Sequence, residues 1–215
     1  MPDAGASPPG FGPGFGAELE ALFRWRRDVR RFRRDPLPAG ALDSLLALAS
    51  LAPSVGLSQP WRFVSVDDPL RRDAVRQSFL RCNAAALAAQ PARRGALYAR
   101  LKLAGLDEAP CHLAVFADPD PERGGGLGRA TMPETARYSA VMAVHTLWLA
   151  SRAAGIGLGW VSILEPAAVT EALSVPPGWV LIAYLCLGYP EAETLEPELE
   201  QEGWERRVAA ELLRR

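Results

Sequence analysis

Cysteine is scarce in this chain of 215 residues, and Cys82, Cys111 and Cys186 stand far apart with no CxxC spacing. That argues against a disulfide framework. With His112 and His145 as the only histidines, no metal-ligand spacing is completed either, so no metal is expected. Net charge is almost absent: 24 basic against 25 acidic residues leave −1, which argues against a molecule-wide polyanion-binding surface and against nucleic acid as a partner. Long hydrophobic runs are missing too. The longest, Ala140 to Ala150, contains His145-Thr146, ends at Ser151-Arg152 and is too short to span a bilayer. The N-terminus lacks the basic region and apolar run of a signal peptide. These absences, with an odd number of scattered cysteines, predict a cytoplasmic protein without a membrane attachment.

What is present is ordinary globular composition, 49% apolar and 23% charged, on a chain long enough for one substantial core. Residues 1–16 are rich in Pro and Gly and read as a disordered tail, with structure beginning near Glu18 in a single domain over 17–215. Leu42, Leu45, Leu46 and Ala49 recur at helical spacing until Pro53. Trp61 to Val66 alternates as a strand, and helices are expected over 70–90 and 93–103. His112 to Ala117 predicts a strand, Gly124 to Gly126 a flexible loop, and 134–154 a helix buried on nearly all sides with Gly155 as its cap. A strand over 158–164, a short helix from Pro166, a buried strand over 180–187 and a charged, partly helical end over 196–215 complete the layout. The alternation predicts an α+β domain around one sheet, and so apolar a helix calls for cover from a second subunit.

Three segments carry chemistry. Arg26-Arg27-Asp28-Val29-Arg30 packs guanidinium forks suited to phosphate around one carboxylate, although a solvated basic face is the commoner use of such a run. Ala52 to Trp61 offers the Ser54 hydroxyl, close backbone approach at Gly56 and the Gln59 amide, a fit for a planar heterocycle with a polar edge. A polar turn is the ordinary alternative. Gly155-Ile156-Gly157-Leu158-Gly159 has alternating glycines, yet they follow a helix and precede a strand, the wrong order for a Rossmann turn. The better reading is backbone passing close against a flat ligand, with Ser162 at the strand end. A helix cap followed by a core strand is the bland reading.

Together these segments, with KLAGLDEAP (102–110), GLGWVSIL (157–164), LCLGYP (185–190) and PELEQEGWERR (197–207), resemble the nitroreductase-like flavoprotein family in order from about Arg24 to Arg207. The resemblance implies a mixed sheet sandwiched by helices, two interlocked subunits with terminal segments embracing the partner, and flavin mononucleotide (FMN) at their interface. It implies that Arg26, Arg27 and Arg30, with Arg207 nearby, hold the ribityl phosphate. Ser54 and Gln59 would contact the ring or ribityl chain, Gly159 and Trp160 would lie along the ring, and 93–106 would form a lid. Most of the family has a small polar residue at the position of Asp28. A branch with aspartate there and serine at the position of Ser162 consumes its flavin: reduced FMN and O2 give 5,6-dimethylbenzimidazole and erythrose 4-phosphate, the reduced flavin coming from a separate reductase. Asp28 would be the catalytic base, its ionised form favoured by the arginines around it, and Ser162 would orient either a flavin peroxide or a ring nitrogen. The alternatives are an NAD(P)H-dependent nitroreductase or flavin reductase that recycles its FMN, a corrin reductase, and a protein that binds flavin without chemistry.

Overall fold

The computed structural model describes residues 10–100 and 104–215, with the side chains of 92, 93, 99 and 100 excluded. The expected tail lies outside the described residues as far as position 9. Helix α1 (Phe15–Trp25) begins earlier than expected, and the Phe11 and Phe15 rings stack at 4.2 Å just before it.

Four strands form the described sheet, β1 (Trp61–Ser65), β2 (Cys111–Ala117), β3 (Gly157–Val161) and β4 (Val180–Gly188), in the order β1-β2-β4-β3. All three pairings are antiparallel. The mixed sheet expected from the resemblance is therefore limited to one edge, where Asp28 makes a parallel bridge with Leu158. β2 and β3 do run the same way, but β4 inserts between them, so no two neighbouring strands are parallel.

Helices cover both faces. Alternate residues of a strand point to opposite sides, and the core divides accordingly. Leu113, Val115, Leu185 and Leu187 pack with α2 (Ala41–Ala49) and α6 (Thr135–Ala153) through Leu45, Val144 and Leu147. Ala114, Phe116, Tyr184 and Cys186 pack on the other face with α3 (Pro69–Ala88) and α7 (Pro166–Leu173) through Val75, Val169 and Leu173. Short helices α5 (Gly105–Glu108) and α8 (Glu198–Gln201) and the helix α4 (Ala92–Arg100) complete the set.

α6 is not buried on nearly all sides. Ala140, Ala143, Val144, Leu147 and Ser151 face the core, whereas Tyr138, Val141, Met142 and His145 are exposed. His145 lies on that outward face. The helix closes as expected: Gly155 takes φ +73°, and the Ile156 amide returns to the Ser151 carbonyl at 2.8 Å. β3 ends at Val161 rather than 164. The chain there leaves the ladder for α7, and the Glu165 amide is held by Ser78 Oγ at 2.9 Å. None of the described helices is long and apolar enough to cross a membrane.

Candidate active site

α1 stops at Trp25. Arg26 turns extended (φ −62°, ψ 123°) while its amide still reaches the Leu22 carbonyl. The chain then runs along β3, the Val29 amide donating to the Leu158 carbonyl at 3.0 Å. This approach explains the alternating glycines. A Cβ on Gly159 would lie 2.1 Å from the Val29 carbonyl oxygen, and one on Gly157 would lie 2.8 Å from Val29 Cγ2. The glycines thus make room for residues 28–29, and that close seating lets Asp28 Oδ1 accept the Trp160 backbone amide at 2.9 Å.

Arg30 Nε lies 3.5 Å from Asp28 Oδ2. Burial nevertheless raises the Asp28 pKa above the usual aspartate value, and the Trp160 amide, Arg30 and Arg26 only partly offset it. Arg30 and Arg26 do favour the ionised form, as expected, but burial acts in the opposite direction and more strongly.

A cavity of about 110 Å³ is lined by Arg26, Asp28, Arg30 and Arg207 together with Pro197 and Leu199. Burial and then repulsion by Arg207 lower the Arg26 pKa, against the pull of Asp28. Cations crowded closely enough to depress one another form a site that an anion would relieve. A neighbouring cavity of about 170 Å³ shares Asp28 and Arg30 and extends to Arg152 and Glu193. Arg27 borders both but is committed elsewhere. Its Nη1 donates to the Arg26 carbonyl at 2.6 Å, its Nη2 donates to the carbonyls of Arg24 and Leu195, and its buried Nε has no partner among the described residues. It ties the C-terminal segment to the end of α1.

The Ser54–Gln59 loop is internally fixed. Ser54 Oγ accepts the Gln59 amide at 3.1 Å, Gln59 Nε2 donates to the Ser50 carbonyl at 3.3 Å, and Ser139 Oγ on α6 accepts the Val55 amide at 3.0 Å. Gly56, Leu57 and Gln59 all have positive φ, an arrangement that costs non-glycine residues energy and clusters at functional positions. The Gly124 turn, expected to be flexible, packs against this loop: a Cβ there would meet the Gly56 carbonyl oxygen at 2.8 Å.

The expected site therefore falls into separate parts within one chain. Arg26, Asp28, Arg30, Trp160 and Arg207 come together. No hydrogen bond, ion pair or shared cavity among the described residues joins Ser54 and Gln59 to them. Ser162 is exposed beyond β3 and lines neither cavity that holds Asp28. Residues 101–103 of the expected lid lie outside the described residues. Of the rest, Tyr98 donates its hydroxyl to Asn83 Oδ1 at 2.9 Å, and Arg94 lies 4.9 Å over the ring of Trp204.

Sequence reasoning missed two supports. Trp148 and Arg152 both sit on α6. Arg152 is 3% exposed, pairs with Glu193 and lies 3.7 Å over the Trp25 ring. An arginine closing an apolar helix was the one available signal. The buried pair His112 Nδ1 and Tyr184 Oη, 2.9 Å apart, had none.

The sequence model of the Nitroreductase family matches residues 23–189. The chain is 59% identical over 207 residues to the 5,6-dimethylbenzimidazole synthase of Rhodospirillum rubrum, covering 96% of this chain and 98% of that protein. A protein of the same name from Rhodobacter capsulatus is 48% identical over 197 residues, 92% of this chain and 95% of its own. Among solved structures, oxidized iodotyrosine deiodinase bound to FMN and 3-iodo-L-tyrosine superposes with a TM-score of 0.71 at 25% identity, covering 92% and 97% of the two chains. A match running from the end of α1 to the end of β4, with the elements in the same arrangement, makes this chain a member of the nitroreductase family.

Proposed function

We propose that this protein is a cytoplasmic 5,6-dimethylbenzimidazole synthase: a homodimer whose domain, 17–215, fragments reduced FMN with O2 to 5,6-dimethylbenzimidazole and erythrose 4-phosphate. The observation that carries the reading is a single carboxylate, Asp28, fixed by the Trp160 amide in a cavity ringed by Arg26, Arg30 and Arg207. The names of the relatives supply the reaction.

The residues fit the substrate. A phosphate dianion would relieve the repulsion between Arg26 and Arg207 and take up guanidinium donors facing the cavity. Arg27 contributes by holding the segment rather than by a free fork. Reduced flavin supplies the electron-rich ring on which O2 acts. Asp28, anchored by the Trp160 amide, would remove the proton that carbon–carbon cleavage releases, and a carboxylate whose pKa is raised by burial is a stronger base than an ordinary aspartate. Trp160 would border the ring, and Gly159 would serve that wall by leaving room for Val29 and so seating Asp28.

Ser54 and Gln59 reach the ring or ribityl chain from the second copy, as does Ser162 if it serves Asp28. Both cavities that hold Asp28 fall below the roughly 300 Å³ at the small end of sites enclosing a ligand. The exposed face of α6, with Val141 and Met142, is the surface that the second copy would cover. Three free cysteines agree with a reducing compartment. The reduced flavin comes from a separate reductase.

The test is anaerobic mixing with chemically reduced FMN, admission of air and mass analysis of the products, with Asp28→Ala alongside. 5,6-Dimethylbenzimidazole from the wild type alone supports the reading. Flavin recovered intact from both overturns it and leaves a recycling NAD(P)H-dependent reductase to be assayed.

A further inference from the structure

Trp148 touches two residues of the cavity wall, Arg26 and Arg27, and a third, Trp160, that holds Asp28. Its Nε1 donates to the Arg27 carbonyl at 3.0 Å. Its ring lies beneath the Arg26 guanidinium, 4.8 Å from centroid to Cζ. Its ring also packs against Trp160 at 6.3 Å between centroids, tilted by 46°. Trp160 in turn gives its backbone amide to Asp28. The segment 26–29 has no regular structure of its own, because α1 has ended and only the Val29 and Asp28 contacts tie it to β3. A short extended stretch held from one side can pivot about that line. The indole supplies the second side.

We infer that Trp148 is a positioning residue that fixes the phosphate-binding Arg26 and the base Asp28 relative to each other, acting from α6 on both sides of the segment 26–28. The inference rests on the reading of this cavity as the FMN site. A guanidinium on an indole face is held in place while its N–H donors stay free at the edge, so Arg26 remains available to an anion. The indole N–H satisfies a carbonyl in a stretch that has no ladder partner at that position. The ring contact with Trp160 transmits the same constraint to the amide beneath Asp28.

Two substitutions separate these contacts. Trp148→Phe keeps a ring under Arg26 and against Trp160 but loses the donor to Arg27. Trp148→Leu loses all three. Trp179→Leu serves as a control, since Trp179 packs on Phe116 and lies under Arg62, away from the cavity. FMN affinity is read by quenching of flavin fluorescence on titration, melting temperature by calorimetry, and turnover as a function of pH.

Trp148→Leu is expected to weaken FMN binding by about tenfold, the range of one cation–π contact plus one hydrogen bond. Trp148→Phe is expected to weaken it by only about twofold to threefold while moving the acid limb of the pH profile to higher pH. Trp179→Leu should lower the melting temperature as much as Trp148→Leu and leave FMN affinity unchanged. If Trp148→Leu binds FMN like the wild type, or if the control loses affinity equally, Trp148 is ordinary packing and the inference fails. If the wild type itself binds no FMN, the reading of the cavity has failed and the inference falls with it.

Discussion

Asp28 Oδ1 accepts the backbone amide of Trp160 at 2.9 Å, across a gap that only glycine at 159 leaves open. The carboxylate thus belongs to the wall of β3 as much as to its own segment, and its properties follow from that seat.

The first consequence concerns stability against pH. Asp28 has a folded pKa above its ordinary value of 3.8, so the folded state binds its proton more tightly than the unfolded chain does. Stability is therefore lost as pH rises from about that ordinary value through the raised one. Asp28→Asn keeps an acceptor for Trp160 and removes the charge. It should raise the melting temperature at pH 7 and leave it nearly unchanged at the acid end of that window, while abolishing product formation from reduced FMN.

His112 gives the opposite slope. Burial lowers its pKa from 6.5 to about 4. A neutral folded histidine loses stability as pH falls from 6.5 towards 4, by about 2 kcal/mol at pH 5 on the usual linkage arithmetic. Urea midpoints at pH 7 and pH 5 should differ accordingly, and His112→Asn should flatten that difference. Tyr184→Phe strands the ring nitrogen that the hydroxyl meets and should cost about 1–3 kcal/mol at pH 7.

Gly159→Ala tests the seat itself. The added Cβ would overlap the Val29 carbonyl, so residues 28–29 and β3 must part. A loss of about 1–3 kcal/mol in chemical denaturation is expected, the range of overpacked cores, together with weakened FMN binding. Gly16→Ala, in the first turn of α1 with nothing within 4 Å, should leave FMN binding unchanged and should not lower stability.

Arg207 and Arg27 should separate binding from folding. Arg207 faces the cavity with an exposed side chain. Arg207→Ala should weaken FMN by about tenfold to a hundredfold, as expected for a charge-assisted contact, at little cost in melting temperature. Arg27→Ala removes donors from the carbonyls of Arg24, Arg26 and Leu195 and should chiefly destabilise, by about 1–3 kcal/mol. Flavin titration and calorimetry on the two variants decide between the roles.

Much of the fold was legible because apolar spacing is local: α2, β1, β2, α7 and β4 lie where periodicity and punctuation put them. Asp28 and its arginines were legible as a cluster for the same reason. What escaped depends on approach between distant segments. The glycines at 157 and 159 read as room for a ligand, but the occupant is Val29. Arg27 resembled its neighbours in sequence, and only the arrival of Leu195 distinguishes it. α6 looked buried all round because its outward residues Tyr138, Val141 and Met142 are as apolar as its inward ones. Composition cannot tell a core face from an exposed one.

The cavity at Asp28 draws one wall from residues 26–30 and another from residues 197–207, the two ends of the described fold. Contacts so remote in sequence are entropically costly to close and form late in folding. An anion bridging Arg26 and Arg207 would therefore act as a clasp on the termini, and binding to the closed form alone would draw stability from ligand concentration. The unliganded chain should fray from these ends, freeing the already exposed segment around Leu195 from its tie to Arg27 so that proteases can cut it, and become resistant once the clasp is shut.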